Sequence, residues 1–230
     1  MTHYPYIYQH RAADYHRLIT AEDADGNLLP ALQRVAVLRG KRIVDLGTGT
    51  GRLPLLLQNL APQIIGIDLH SGMLQEQQRR QRKAQKNDLL LQGDIRRLPL
   101  PNACADVVTA GWAIGHFPSW FGSDWRRQVN RVLQEMRRAA IPGGALIIIE
   151  TLTTGSLAPA PPTEKLAAYY ACLENDWGFT RQEIQTNYRF KSAEAAAAQC
   201  EFFFGPALAA AILKNNWATV PEWTGVWSSS

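Results

Sequence analysis

The run Ile43-Val44-Asp45-Leu46-Gly47-Thr48-Gly49-Thr50-Gly51-Arg52 constrains this chain more than any other stretch. A short β-branched strand ends in an acid, a loop follows with glycine at every second position, and a helix then begins. Glycine lacks a Cβ and adopts positive φ, so such a loop turns sharply and brings backbone N–H groups close to a ligand. Those groups lie near the positive end of the next helix, which suits a carboxylate or phosphate. The glycine spacing separates two ligand classes. A dinucleotide fingerprint needs its third glycine at position 52, where the chain has Arg52, so NAD is not expected.

The segments around this loop extend the pattern. Ile43–Leu46, Ile64–Asp68, Asp88–Gln92, Asp106–Ala110 and Ala145–Leu152 read as buried strands. Helical patterns separate most of them. One is capped by Ser71 and runs to about Gln85; another is capped by Ser123, carries Val129, Val132, Leu133 and Met136 on one face, and stops at Pro142-Gly143-Gly144. Alternation of this kind predicts a mostly parallel sheet with helices on both faces. Before it, Ala12–Thr20 and Asn27–Leu38 read as helices beside a cluster of Tyr4, Tyr6, Tyr8 and Tyr15. After it come a Pro/Ala-rich loop at Gly155–Thr163, a helix over Glu164–Asn175, a strand over Glu183–Phe190, an Ala-rich helix over Ala193–Phe204 and a last strand over Glu222–Trp227. The expected organisation is one domain over 1–230: a helical cap (1–40), a ligand-binding core (41–152) and a C-terminal elaboration with a substrate-side insertion (153–230).

Composition narrows the function classes. No apolar run approaches the ~20 residues of a membrane span, and no secretory signal is visible, so a cytoplasmic protein is expected. Cys104, Cys172 and Cys200 are scattered and odd in number, which argues against a disulfide scaffold or a cysteine metal site; no metal is expected. The net charge of +4 is concentrated in Arg79–Lys86, which reads as a solvated helix face, since no aromatic residues interleave it.

Two further acids fit a ligand at the strand ends. Asp68 closes the second strand, where a carboxylate can accept from both hydroxyls of a ribose. Asp94, in Gln92-Gly93-Asp94-Ile95, can accept from an exocyclic adenine amine, with Ile95 against the ring; a plain turn cap is the alternative.

In order and spacing, D-x-G-x-G-x-G at Asp45–Gly51, Asp68, Gly93-Asp94-Ile95, Asp106–Ala110 and Pro142-Gly143-Gly144 resemble the class I S-adenosylmethionine-dependent methyltransferase family, in its small-molecule branch. The resemblance covers about Arg42 to Leu152 and implies the Rossmann-like fold of that family. It implies that Asp45, Gly47, Thr48, Gly49 and Gly51 hold the methionine part of S-adenosylmethionine and Asp68 its ribose. Leu69 and Met73 would flank the adenine, Asp94 and Ile95 hold its edge, and Ala110 lie near the methionyl group.

The cofactor supplies an activated methyl, so the protein needs few reactive groups of its own. Candidate catalytic residues are His116, after the fourth strand, and Tyr15 in the cap; Glu150 on the fifth strand is a further candidate base, and structural roles remain open for all of them. Ala110–Phe117 departs from the Asn/Asp-Pro-Pro-aromatic motif of amino-directed nucleic-acid methyltransferases, and no Pro-Cys motif is present. The expected partner is therefore a small-molecule methyl acceptor rather than nucleic acid, with Trp112, His116 and Tyr169 or Tyr170 nearer the methyl than Arg79–Lys86. The alternatives are a catalytically silent S-adenosylmethionine-binding protein and a protein or RNA methyltransferase.

Overall fold

The computed structural model describes residues 3–229. Five apolar runs form its centre: β1 (Arg42–Leu46), β2 (Gln63–Asp68), β3 (Leu89–Gln92), β4 (Ala105–Gly111) and β5 (Ala140–Thr154) are all parallel. Beyond β5, β9 (Glu222–Ser229) runs antiparallel to it, and β6 (Thr180–Gln185) runs antiparallel to β9. The seven strands lie in the order β3-β2-β1-β4-β5-β9-β6. This is the mostly parallel, Rossmann-like sheet expected for the class.

Side chains alternate across a strand, so each strand feeds two cores. Val44, Leu46, Val108 and Ile148 pack with Val129, Val132, Leu133 and Met136 of α7 (Trp125–Ala139). Ile43, Val107, Ile147 and Ile149 pack on the other face with Leu28, Ala31 and Leu32 of α3 (Leu28–Val35) and Leu53 and Leu57 of α4 (Arg52–Leu57). Both faces are therefore covered, and the strands read as near-continuous apolar runs for that reason.

The N-terminal cap contains α1 (His3–His10) and α2 (Ala12–Ile19), which lie on α5 (Ser71–Lys83). Ile7, Tyr8 and Ala12 bury themselves against Met73. The approach is close enough that a Cβ on Gly72 would fall 2.4 Å from the Gln9 carbonyl oxygen. At the other end of the chain, α8 (Glu164–Ala171) continues into a π turn (Cys172–Asp176), and α9 (Ala193–Phe204) packs with α10 (Pro206–Lys214). A small sheet pairs β7 (Tyr188–Arg189) with β8 (Thr219–Val220).

Several boundaries differ from the sequence reading for identifiable reasons. The expected strand over Glu183–Phe190 is two strands, because Thr186 and Asn187 give their carbonyls to the Asp23 and Ala24 N–H groups of the cap. Pro142-Gly143-Gly144 does not precede the fifth strand: α7 ends at Ala139, and the tripeptide lies within β5 where the pairing with β4 shifts register between Ala105 and Val107. Ser71 and Ser123 do not cap. Asp124 is the residue before α7, and Ser71 already belongs to α5, behind His70. Tyr4, Tyr6 and Tyr8 of the tyrosine cluster are helical as α1, α10 follows a further turn at Gly205, and neither helix was expected. Among the described residues, no helix is long and apolar enough to cross a membrane, and no group of three or more His, Cys, Asp or Glu could hold a metal ion.

Candidate active site

The glycine loop leaves β1 at the carboxyl edge of the sheet. Gly47, Gly49 and Gly51 all have positive φ (65°, 56° and 88°). A Cβ on Gly47 would fall 2.5 Å from that of Ala113, and one on Gly51 would meet the Gln77 side chain at 2.8 Å. At Gly49 a Cβ would meet nothing nearer than the Gly47 carbonyl oxygen at 3.9 Å, so here the backbone itself faces open space. Two glycines fold the loop and the third leaves room for a ligand.

Around this loop lies a cavity lined by Asp45, Gly47, Thr48, Gly49, Asp68, Leu69, Met73, Asp94 and Ile95, closed on the far side by Gly111–Ala113 and His116. Asp68 is the hinge of its polar wall. Its Oδ2 accepts from the Gly49 N–H and its Oδ1 from the His70 N–H, both at 2.8 Å. Burial raises its pKa, and those backbone bonds partly offset the shift. Asp45 is deeper: burial pushes it up to about 6 against the bond it accepts from the Thr109 hydroxyl at 2.7 Å. Asp94 reaches the cavity chelated by Arg96, whose Nη2 lies 2.6 Å from Oδ2, and this pair holds its carboxyl below the usual range. Leu69 is exposed and Met73 buried.

Two expected residues stand elsewhere. Ala110 is fully buried in the sheet core, paired with Leu46 and Ile148. The strand continues to Gly111, and the cavity wall begins there, not at Ala110. Gly51 stands behind the cavity, and its place in the loop is conformational.

A second cavity, about 770 Å³ in volume, opens beside the first. Both share Tyr8, Tyr15, Arg52, Trp112, His116 and Trp120 as walls. His116 accepts or donates at Nε2 to the Tyr8 hydroxyl at 2.8 Å and stacks on Trp120 at 4.7 Å. Burial lowers its pKa to about 4, so its ring is neutral at physiological pH. Tyr15 sits edge-on to Tyr8 at 5.6 Å, and burial raises its hydroxyl pKa. Glu150, at the end of β5, lines the second cavity and accepts from the Gly115 N–H at 2.7 Å. Burial pushes it up to about 8.

The sequence reading missed how the junction is pinned. Arg52 donates to Glu22 at 2.7 Å, and its guanidinium lies 3.8 Å over the Trp112 ring. Trp112 holds φ 52°, unusual for a bulky residue, and this directs its ring to the cavities. Arg52 Nη2 and Trp112 Nε1 are buried donors with no protein partner. His16 bonds Thr50 at 2.8 Å, a second tie between α2 and the glycine loop. Arg52 in the place of a third glycine was the available signal. Tyr170 lines the second cavity, whereas Tyr169 is buried behind it against Glu150. Arg79–Lys86 line neither cavity, and Arg79 and Arg80 pair with Glu76.

The profile described as a methyltransferase domain matches residues 44–148, the stretch that carries the loop, Asp68 and Asp94. That stretch is a methyltransferase domain, and the sheet that carries it has the Rossmann-like fold of the class I methyltransferases. Similar curated proteins include the demethylmenaquinone methyltransferase of Thermus thermophilus, 30% identical over 132 residues (56% of this chain, 53% of that protein). The malonyl-[acyl-carrier protein] O-methyltransferase of Yersinia pestis is 31% identical over 151 residues (64% and 51%). The chain thus spans about half the length of the curated relatives it matches. In fold it resembles the YcgJ protein of Bacillus subtilis, with a TM-score of 0.58 at 15% identity over 89% of this chain and 97% of that one. A SAM-dependent methyltransferase from Aquifex aeolicus gives 0.54 at 16% identity, covering 87% of each chain.

Proposed function

We propose that this protein transfers a methyl group from S-adenosylmethionine to a small organic acceptor, with the cofactor in the glycine-loop cavity and the acceptor in the larger cavity beside it. The observation that carries this reading is the shared wall: two cavities meet at Tyr8, Tyr15, Arg52, Trp112 and His116, over the carboxyl ends of β1 and β4. Methyl transfer needs two ligands end to end, and positioning them is the larger part of the catalysis.

The residues present suit the cofactor. Asp68 retains lone pairs for the ribose hydroxyls after accepting its two backbone N–H groups. Asp45, Gly47, Thr48 and Gly49 form the methionine cradle, with Gly51 shaping it. The unpartnered Arg52 and Trp112 donors stand where a carboxylate would satisfy both. Leu69 and Met73 flank the adenine, and Ile95 with Asp94 holds its edge. His116 and Tyr15 frame the passage between cavities, where they orient the acceptor against the methyl.

Relatives named for demethylmenaquinone and malonyl-[acyl-carrier protein] support an organic acceptor. Calorimetric titration with S-adenosylhomocysteine, the demethylated product, and with NAD tests the cofactor half, and methyl consumption across a metabolite panel tests transfer. The expected result is binding of the first ligand alone, followed by transfer. Binding of NAD without S-adenosylhomocysteine would overturn the reading.

A further inference from the structure

The second cavity is walled by rings, and its fixed charges cancel. Tyr8, Trp112, Trp120, Tyr170, Phe203 and Phe204 all face it. Among the described residues, Arg52 is the only Lys or Arg on its wall, and the Glu22 carboxylate neutralises it at 2.7 Å; the same Glu22 oxygen accepts from the Tyr188 hydroxyl at 2.8 Å. The one other acid on the wall is Glu150. It is fixed at its place by the Gly115 N–H at 2.7 Å and the Tyr169 hydroxyl at 3.5 Å.

We propose that the acceptor is an uncharged planar ring bearing an ionisable hydroxyl, and that Glu150 takes the hydroxyl proton as the methyl is transferred. This rests on the cofactor reading given above. A carboxylate acceptor would enter a cavity whose one cation, Arg52, already has a counter-ion in Glu22 and is shared with the wall of the first cavity. An ammonium acceptor would compete with Arg52 for Glu22, whose Oε2 already accepts from Arg52 and Tyr188. Either would bury an unpaired charge, whereas a neutral ring is matched by the aromatic walls. In the step itself, the acceptor O–H proton passes to the Glu150 carboxylate and the acceptor oxygen forms its bond to the methyl carbon. The carbon–sulfur bond breaks with its electron pair remaining on sulfur, which becomes a neutral thioether.

Burial pushes Glu150 up to about 8, close to the range in which a base works best near neutrality. The titratable groups facing it are Tyr8 from α1, His116 after β4, and Tyr169 and Tyr170 from α8. All four are uncharged at neutral pH: burial raises the tyrosines and lowers His116. No fixed charge among them moves Glu150 back to the ordinary carboxylate range. A cationic sulfonium in the adjoining cavity favours its ionised form during turnover.

Three probes on one naphthalene ring test the acceptor class: 2-naphthol, 2-naphthoate and 2-naphthylmethylammonium, titrated into protein saturated with S-adenosylhomocysteine. 2-Naphthol is expected to bind about tenfold tighter, or more, than either charged probe at neutral pH. Equal or tighter binding of a charged probe overturns the proposal, as does absence of 2-naphthol binding while S-adenosylhomocysteine binds normally. Failure of S-adenosylhomocysteine itself to bind overturns the cofactor reading first, and this inference with it. For the base, Glu150→Gln should keep its affinity for S-adenosylhomocysteine and 2-naphthol. It should lose about 100-fold or more in methyl transfer, together with the rise in rate toward pH of about 8. An unchanged rate and pH profile in the variant removes Glu150 from the chemistry. So does a wild type that binds 2-naphthol yet methylates neither it nor 1,2-dihydroxynaphthalene.

Discussion

The wall of the first cavity is drawn mostly from segments that each follow a strand: Asp45–Arg52, Asp68–Met73, Asp94–Arg96 and Gly111–Phe121. The second cavity takes its wall from α1, α2, the end of β5, the segment around Pro162 and Thr163, α8, β7, α9 and α10, elements scattered over the whole chain. The first relies on backbone geometry and a few fixed acids, and the second on bulky side chains brought together by tertiary packing. A site of the first kind tolerates almost no change at its glycines. A site of the second kind can be reshaped one ring at a time.

The strongest way to break the first half is to fill its loop. Gly47→Val would place a branched side chain at φ 65° and against the Ala113 methyl. A loss of about 2–5 kcal/mol in urea unfolding is expected, with cofactor binding abolished. A next smaller effect separates the halves. Asp68→Ala should weaken S-adenosylhomocysteine about 10- to 100-fold by calorimetry, the worth of charge-assisted hydrogen bonds to a carboxylate. Phe204→Ala, which touches only the second cavity, should leave that affinity within about twofold while weakening 2-naphthol about tenfold. If Phe204→Ala damages cofactor binding as much as Asp68→Ala does, the two cavities are not separate sites.

A smaller effect concerns stability against pH. Glu150 has a folded pKa raised from 4.5 to about 8, so its contribution is fully present below the unfolded value and is lost as pH rises through about 8. Thermal midpoints of the wild type should therefore fall between pH of about 5 and 8 more steeply than those of Glu150→Gln. The smallest change is expected in the cap, which is already packed through Ile7 and Tyr8. Hydrogen exchange over residues 8–29 should slow when S-adenosylhomocysteine binds. Equal exchange in both states would make this region a static cover.

The same contrast explains what the sequence made legible. The Asp45–Gly51 loop, Asp68 and Asp94 lie in local patterns whose chemistry depends on spacing, and all three acids reach the first cavity. Ala110 stops one residue short of the cavity wall, because the turn from strand to loop depends on where the pairing of β4 with β5 ends, at Gly111 and Ile149. The second cavity leaves no mark in the sequence beyond the aromatic residues it uses. Tyr4, Tyr8, Phe203 and Phe204 do line it, but Phe179 and Trp227 are core and Tyr6 faces solvent. No local pattern distinguishes these fates. The Glu22–Arg52 and His16–Thr50 ties join residues about 30 positions apart and carry no periodic signal.

Those two ties have a thermodynamic consequence. They fasten α2, through His16, and the turn after it, through Glu22, to the two residues that flank Gly51, so the cap and the glycine loop are linked. Coupling between sites is reciprocal: whatever free energy the cofactor contributes to ordering the cap, an ordered cap returns to cofactor affinity. Because α1 and α2 also wall the second cavity, a ligand there that holds the cap down would tighten a ligand at the glycine loop by the same factor. Each ligand would then be held more firmly while the other is still in place.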